Sequence, residues 1–384
     1  MTSGGEGRPR WRRKALVAGV VVLVALVAAA GAGAWYGSDQ GIKVIHYGTS
    51  NTRVLAVEGD RVTLEQTPET GKPGTYWLEW TGAYSMLGDV VARAPGRVTR
   101  RVLRGAVPSL GTPGFFGSVP PGDPEVAWGI GFTETMVPTE LGPAPAWQVP
   151  GKGDTWVVAV HGQNGRRKAQ LKILPVVHRL GLPFMAVSYR NDEGAPPSPD
   201  GLLHLGDSEW RDLEAALRHA QTMGARRFVL YGTSMGGQIV GQFLARSPLA
   251  GLVDRVIMDA PMIDVRMTVE QGARNNGLPG FVAGLSTLVT EWRTGVDTDR
   301  LSLIRHPPGT RPPLLLIHTV PDTDHPIQEA YGLVEAGRRL NWRIQFEPFP
   351  AGAHTEAWNV DRARYDRLVG DFLAGCAPPT GCRA

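Results

Sequence analysis

One serine of this sequence has the neighbours of a catalytic nucleophile. Ser234 lies midway between Gly232 and Gly236, directly after an apolar run and before a predicted helix. In a tight strand-to-helix turn, side chains two residues either side of the serine would collide with nearby backbone, and glycine removes that collision. The turn lifts the hydroxyl above a sheet edge, at a helix N-terminus that favours negative charge. The spacing therefore predicts Ser234 as the nucleophile of an acyl transfer.

A serine hydroxyl attacks only when a base takes its proton, and the base needs an acid that orients it. Four histidines follow the serine in the chain, at positions 306, 318, 325 and 354. His354 comes between an apolar run and the last predicted helix, and it is the expected base. Asp322 and Asp324 share one loop, and either is a candidate acid. His325 lies in the same loop and is the competing histidine.

Alternating strands and helices from residue 155 onward would bring these groups together. Apolar strands separated by helices are typical of a parallel α/β sheet with both faces covered. Strands are predicted at 156–160, 183–189, 226–232, 255–260, 313–319 and 343–349. Helices are predicted at 166–180, 207–223, 235–246, 326–340 and 356–374. Parallel strands end at one edge of the sheet, so the loops that carry the candidate residues should meet there.

At these residues the chain resembles the α/β-hydrolase superfamily, over about residues 150–375. Many members carry the pattern His-Gly-x-x-Asp-x-x-Val-Pro after the strand that precedes the acid, and residues 318–326 resemble it. The aspartate of the pattern falls on Asp322, while Thr319 and His325 replace its glycine and valine. The resemblance implies a mostly parallel sheet flanked by helices, and it favours Asp322 over the other aspartate as the acid of a Ser-His-Asp triad.

The resemblance also implies where the developing negative charge is held. An oxyanion needs two N–H donors aimed at it. One is expected to be the backbone N–H of Met235, the residue after the nucleophile. In the superfamily the second donor follows a strand that ends in His-Gly. That position is Gln163 here, because His161 and Gly162 follow a predicted strand.

The first 36 residues predict a membrane anchor. A basic tail, residues 1–14, precedes an uncharged apolar stretch at 15–36. About 20 apolar residues suffice to span a bilayer, and a basic flank stays on the cytoplasmic side. We therefore expect a single-pass plasma-membrane protein whose catalytic domain is extracytoplasmic. The alternative is a signal peptide cleaved after the small residues 32–34, which would make the protein secreted.

Composition limits the partners and cofactors. The first 14 residues hold five of the 40 basic side chains and one of the 36 acidic ones, so 35 of each remain. The near-neutral remainder gives no case for a nucleic-acid partner. The sequence contains no phosphate loop, dinucleotide pattern or metal-ligand spacing, and no cofactor is expected. Cys376 and Cys382 are the only cysteines, and outside the cytoplasm they would be able to form a local disulfide.

Two regions have no clear counterpart in the resemblance. Residues 37–150 combine short apolar runs with Gly and Pro turns, which predicts a small β-rich region of unassigned role. Residues 142–154 are predicted as a linker or an entry loop, and the catalytic domain is expected at 151–384. Within that domain, residues 264–300 form an insertion between two strands. Its mixture of apolar and polar residues fits either a lid over an acyl pocket or packing in the core.

Together these features predict a membrane-anchored serine hydrolase that cleaves a carboxylic ester, or a related acyl bond, through an acyl-enzyme. The expected substrate is a small-molecule or lipid-like acyl compound. One alternative is a serine peptidase of the prolyl-oligopeptidase type, although the β-rich region is much shorter than the propeller that such enzymes usually carry. The other is a membrane-tethered binding protein that keeps the fold without turnover.

Overall fold

The computed structural model describes residues 10–45 and 50–375. The predicted disulfide between Cys376 and Cys382 lies outside these residues, as does most of the basic tail. The described part consists of a long N-terminal helix, a β-barrel and an α/β domain built on a larger sheet.

The N-terminal helix is longer than the apolar stretch that predicts it. Helix α1 spans Arg10–Ile42, and its segment Lys14–Ile42 is apolar and long enough to be a candidate membrane span. At 1.5 Å per residue the whole helix measures about 50 Å, against about 30 Å for a hydrocarbon core. One face of its last turns is buried, with Ala34, Ser38 and Ile42 at 1% exposure or less. The helix continues past residue 36 because this end packs on the folded domain.

Six strands after α1 close into a barrel. Their bounds are β1 Thr52–Glu58, β2 Arg61–Glu65, β3 Tyr76–Trp80, β4 Ala83–Ala94, β5 Arg97–Gly105 and β6 Pro113–Gly117. The order around the barrel is β1-β2-β5-β4-β3-β6, with antiparallel neighbours. Alternate residues point inward and form an apolar interior that includes Leu64, Leu78 and Phe116. The prediction of a β-rich N-terminal region is confirmed.

Two strands within residues 37–150, the predicted β-rich region, belong to the larger sheet of the α/β domain. A short helix, α2 (Pro124–Trp128), leads to β7 (Thr133–Thr139) and β8 (Gly142–Val149), which pair antiparallel. The expected linker at 142–154 is therefore wrong over most of its length. Its proline content suggests a loop, but Ala144 and Ala146 are buried in the sheet. The boundary expected at residue 150 does not coincide with the division between the two sheets.

The larger sheet has eight strands in the order β14-β13-β12-β11-β9-β10-β8-β7. The remaining bounds are β9 Thr155–Val160, β10 Phe184–Val187, β11 Arg227–Thr233, β12 Val253–Asp259, β13 Leu314–Thr319 and β14 Ile344–Phe349. These six strands run parallel, and each lies within two residues of its predicted ends. Strands β9, β10, β11 and β13 are almost completely buried, as expected of nearly continuous apolar strands with helices on both faces of the sheet, whereas the edge strand β14 is partly exposed. The α/β fold class is confirmed.

Helices cover both faces of this sheet. Their bounds are α3 Leu174–Arg179, α4 Trp210–Thr222, α5 Met235–Arg246, α6 Val265–Asn275, α7 Gly280–Thr294, α8 Ile327–Arg339, α9 Ala357–Val360 and α10 Arg362–Ala374, with 3-10 turns at Arg167–Lys172 and Ala250–Leu252. Two helices predicted as continuous are divided. Pro175 begins α3 after the first 3-10 turn, and the side chain of Asp361 caps α10. The insertion predicted at 264–300 forms α6 and α7, and α7 packs along the end of α1.

Candidate active site

Ser234 occupies the single residue between β11 and α5, in a strained conformation with φ 54° and ψ −126°. A Cβ atom on Gly232 would overlap the carbonyl of Gly236, and one on Gly236 would overlap the carbonyl of Val160. The steric reason for both flanking glycines is therefore confirmed. The Ser234 N–H donates to the carbonyl of Asp259 at 3.1 Å, which helps to hold the turn against its strain.

The hydroxyl of Ser234 contacts His325, the alternative candidate for the catalytic base. Its Oγ lies 3.2 Å from Nε2 of His325, and the other ring nitrogen lies 3.0 Å from Oγ1 of Thr268. The Thr268 hydroxyl donates to the buried carboxyl of Glu329 at 2.9 Å. When Glu329 is ionised, the one proton of that hydroxyl is used in this bond, so the hydroxyl accepts from Nδ1–H of His325 and Nε2 accepts from the serine. When Glu329 is protonated, it can donate to Thr268, and the direction of the two bonds at His325 reverses.

Burial lowers the pKa of His325 well below its ordinary value, and the neighbouring His354 lowers it further. The ring is therefore neutral at neutral pH. Burial also raises the pKa of Glu329 to about 8, against the opposing effect of backbone hydrogen bonds from Ile263 and Asp264. The sequence analysis does not identify Thr268 or Glu329, since they come from α6 and α8 and no local pattern connects them to the serine.

Asp322 and His354 form the second polar pair of the site. Nδ1 of His354 lies 2.8 Å from Oδ2 of Asp322. The other oxygen of Asp322 accepts the N–H groups of Asp324 and His325, at 2.8 and 3.0 Å. The side chain of Asp324 is exposed, although it also borders the cavity. The structure thus brings Asp322, the acid that the resemblance favours, into contact with the expected base.

The charges of this pair stabilise each other. Burial would raise the pKa of Asp322, but the hydrogen bond and positive charge of His354 outweigh it and lower the pKa to about 2. Burial likewise opposes protonation of His354, and the bond to Asp322 overcomes this and raises its pKa above the ordinary value. Asp322 is therefore ionised and fixes the Nδ1–H tautomer of His354.

Both imidazoles border one cavity of about 410 Å³, together with Ser234. The rings of His325 and His354 meet edge to face, with centroids 4.6 Å apart. Within the described residues, the serine hydroxyl makes its hydrogen bond to His325 and not to His354. The approach of Ser234 to His354, on which the predicted triad depends, stays a prediction.

The loop after β9 lies directly against the nucleophile. A Cβ atom on Gly162 would come within 2.6 Å of the Ser234 side chain, so the next residue, Gln163, begins beside the serine. His161 holds this loop, because its ring bonds to Asp192 at 2.8 Å and stacks on Tyr189. On the other side of the serine, the backbone N–H of Met235 belongs to the first turn of α5 and has no acceptor within the helix. Gln163 and Met235 stay the predicted oxyanion donors.

The end of α1 and the segment after it are tied to this same loop. The side-chain amide of Gln163 donates to the carbonyl of Gln40 at 2.7 Å. Asn164 accepts the N–H of Ile45 at 2.9 Å and donates to the carbonyl of Lys43 at 3.1 Å. Tyr36, Gly37 and Gly41 of α1 also border the catalytic cavity. The N-terminal helix is therefore part of the site's wall.

The barrel supports the loop that carries His354. Glu356, two residues further on, accepts hydrogen bonds from Lys72 and Tyr76 of the barrel, at 3.0 and 3.2 Å. The N–H of Thr75 donates to the carbonyl of Asn359 at 2.7 Å. From inside the α/β domain, the buried ammonium of Lys172 donates to the carbonyl of Thr355 at 2.8 Å. The loop is thus held from two directions.

Two family models match parts of the sequence. Residues 199–378, which include Ser234, Asp322 and His354, match the prolyl oligopeptidase family. Residues 53–117, which correspond closely to the barrel, match a domain of unknown function, DUF8805. No curated protein matches the sequence.

Solved structures share the fold at low sequence identity. An esterase of Pyrococcus furiosus, PF2001, superposes with a TM-score of 0.53 at 19% identity, over 66% of this chain and 94% of its own. An acylaminoacyl peptidase of Pyrococcus horikoshii superposes with a TM-score of 0.53 at 14% identity, over 86% of this chain and 56% of its own. This chain thus spans little more than half of that peptidase. The family match covers the nucleophile and both partner loops, and the structural likenesses show that the chain has the α/β-hydrolase fold.

Proposed function

We propose that this protein is a membrane-anchored hydrolase that cleaves a carboxylic ester, or a related acyl bond, with Ser234 as nucleophile, His354 as base and Asp322 as orienting acid. The observation that carries the proposal is the convergence of a strained serine turn and an Asp322–His354 pair on one cavity. Strained nucleophiles and carboxylate-bound imidazoles are costly to build in the absence of a chemical role.

In the proposed reaction, Nε2 of His354 takes the proton of Ser234 as Oγ attacks the carbonyl carbon. Asp322 keeps the Nδ1–H tautomer and stabilises the imidazolium that forms. The N–H groups of Met235 and Gln163 hold the oxyanion. His354 then protonates the leaving alkoxide, and the acyl group stays on the serine. A water, activated by the same imidazole, releases the acid and restores the hydroxyl.

His325 has a separate role in this proposal. Its neutral ring is hydrogen-bonded to the hydroxyl of Ser234 before substrate binds, and the serine turns from one imidazole to the other as the reaction begins. Because the pKa of His325 is lowered by burial and by His354, it adds no like charge beside the imidazolium of the transition state. Because His325 is neutral, it does not oppose the hydrogen bond to Asp322 that raises the pKa of His354 against the effect of burial.

The proposed setting is the outer face of the plasma membrane, with α1 as an uncleaved single-pass anchor and the N-terminus in the cytoplasm. The length and composition of Lys14–Ile42 support the anchor. A lipid-like acyl ester fits this setting, since the cavity is bordered by Val265, Val269 and Leu278 as well as by polar groups.

A serine peptidase is the second candidate, and the match to the prolyl oligopeptidase family favours it. Hydrolysis of an amide would use the same nucleophile and base, so the catalytic groups do not separate the two activities. A panel of p-nitrophenyl esters of increasing chain length, assayed beside aminoacyl p-nitroanilides, does separate them. Higher kcat/KM for an ester series supports the first candidate, and higher kcat/KM for the anilides supports the second.

The hydrolase itself is tested with a fluorophosphonate probe, which reacts with activated serines. We expect stoichiometric labelling of the full-length protein and none in Ser234→Ala. Ser247→Ala is a matched control, because Ser247 lies at the end of α5 and its hydroxyl bonds to Glu214. Absence of labelling in a folded protein would instead support a membrane-tethered binding protein without turnover.

A further inference from the structure

Helix α7 carries an apolar stripe on its outer face. Phe281, Leu285, Leu288 and Trp292 are 63%, 37%, 61% and 77% exposed. Their spacings of four, three and four residues place them on one side of the helix. The remaining faces are buried, since Val282 and Ser286 pack on α1 and Thr287 borders the catalytic cavity. Four large apolar side chains in one row form a surface that water solvates poorly.

The contacts between α1 and α7 fix the position of this stripe along α1. The two helices run in the same direction, because Gly33 faces Val282 and Gly37 faces Ser286. Phe281, adjacent to Val282, therefore lies beside Gly33. That level is still within the uncharged apolar stretch of α1, about 5 Å before its end at Tyr36. The start of the stripe thus lies at the depth of the candidate membrane span.

The other end of the stripe lies at the boundary of the apolar stretch. The rings of Trp292 and Trp35 have centroids 6.5 Å apart, and the guanidinium of Arg293 covers the ring of Trp35. Arg293 also bonds to Asp39 at 2.7 Å, and Asp39 is the first charge after the stretch. Clustered tryptophans next to the first charged residues are typical of the membrane–water interface.

We propose that the apolar stripe of α7 lies in the outer leaflet of the bilayer that α1 crosses, so that the catalytic cavity receives its acyl substrate from the membrane interface. The occupant is the lipid surface because the stripe continues the exposed apolar surface of α1. The cavity adjoins it, since Gly37 of α1 and Thr287 of α7 share its wall with Ser234. This inference rests on the proposed anchoring of α1.

The test places one environment-sensitive label on the stripe of the full-length protein. In a Cys376→Ser, Cys382→Ser background, Phe281→Cys and Leu288→Cys are labelled with the fluorophore NBD and reconstituted into phosphatidylcholine vesicles. Leu23→Cys in α1 is the positive control. Leu110→Cys is the matched negative control, because it is 72% exposed on the barrel. Nitroxide-labelled phosphatidylcholine is then added as a quencher.

We expect the nitroxide lipid to quench the labels at 281, 288 and 23, and to leave the label at 110 unchanged. Quenching at 23 but not at 281 or 288 overturns the inference and leaves the anchor intact. Absence of quenching at 23 shows that the anchoring itself has failed, and the inference fails with it. Quenching at 281 and 288 that is absent at high protein density, and appears only on dilution with lipid of the same nitroxide fraction, would instead indicate that a second copy of the chain covers the stripe, and would also overturn it.

A kinetic test separates membrane access from catalysis. In the double variant Phe281→Gln, Leu288→Gln, we expect hydrolysis of a long-chain ester in the vesicle bilayer to fall about tenfold or more, because two large apolar contacts with lipid are lost. Hydrolysis of soluble p-nitrophenyl acetate should not change. If the double variant hydrolysed both substrates at the wild-type rate, the inference would be contradicted. Loss of activity on both substrates would identify a folding defect, which circular dichroism detects.

Discussion

The barrel and the α1–α7 pair contact different loops of the site. The barrel reaches the loop of His354 through hydrogen bonds to Glu356 and to the backbone of Asn359. The helices reach the loop of Gln163 through the carbonyl of Gln40, but they border the cavity through close packing, where Gly37 faces Ser286 of α7. Polar contacts fix the direction of a side chain, whereas close helix packing fixes the shape of a space. We infer that the barrel acts on the rate of the chemical step, and the helices on which substrates are bound.

The largest expected effect distinguishes the two imidazoles beside Ser234, of which the barrel supports the loop of His354. His354→Ala should lower kcat/KM for a p-nitrophenyl ester by about 10⁶-fold, as loss of a triad base does. His325→Ala should lower it by about tenfold or less, since only the resting position of the hydroxyl changes. The reverse order of effects would make His325 the base and Thr268–Glu329 its orienting relay.

A matched pair of glycines tests the barrel. Gly74 has φ 104°, and a Cβ atom there would overlap the backbone of Asn359, whereas Gly59 in a barrel turn has φ 61° and open space. Gly74→Ala should shift the His354 loop and lower kcat by about tenfold to 100-fold, with KM little changed. Gly59→Ala carries backbone strain as well, but should leave kcat near that of the wild type. Equal kcat values for the two variants would show that the barrel does not affect the chemical step.

A second pair of glycines tests the helices. In Gly37→Ala the new methyl group would collide with the side chain of Ser286, while Gly31→Ala meets open space. Alanine favours a helix over glycine by about 1 kcal/mol, so Gly31→Ala should be neutral or stabilising. Gly37→Ala should lose about 1–2 kcal/mol of stability by overpacking and raise KM for long-chain esters. Thermal unfolding in detergent and a chain-length series measure the two effects, and identical behaviour of both variants would contradict them.

The smallest effect concerns pH. The base must be neutral to accept a proton, and Asp322 raises the pKa of His354 above 6.5. Activity should therefore rise with pH and reach its half-maximum above pH 6.5. In His325→Ala this acid limb should persist, because its origin is the Asp322–His354 pair. A wild-type limb centred below pH 6.5 would point to the neutral, buried His325 as the titrating base, since burial lowers its pKa.

The parts of the site that sequence predicts are those carried by local patterns. The strands of the larger sheet are continuous apolar runs, and Gly232 and Gly236 mark the turn at Ser234 by steric necessity. The contact of Asp322 with His354 follows from two loops that end at one sheet edge. In each case the residues that matter are close in sequence or at equivalent ends of adjacent strands.

Other parts depend on contacts that no spacing reveals. Thr268 and Glu329 reach His325 from separate helices, and only the packed fold brings them together. The strand at Gly142–Val149 is concealed by its prolines, because sheet pairing overrides a composition that usually indicates a loop. The burial of Ser38 likewise depends on α7, whose Thr290 contacts it from 252 residues further along the chain.

The packing of α1 also bears on when the chain could be processed. The small residues at 32–34 that resemble a cleavage site end at Ala34, which is 1% exposed in the folded protein. A peptidase needs several residues of extended chain on either side of the bond it cuts, whereas here the chain is helical and Ala34 is buried. Cutting would therefore have to precede folding, and a chain cut in this way would mature without part of the surface on which α7 rests. An uncut helix would therefore be needed for α7 to have its complete packing surface, which includes Gly33.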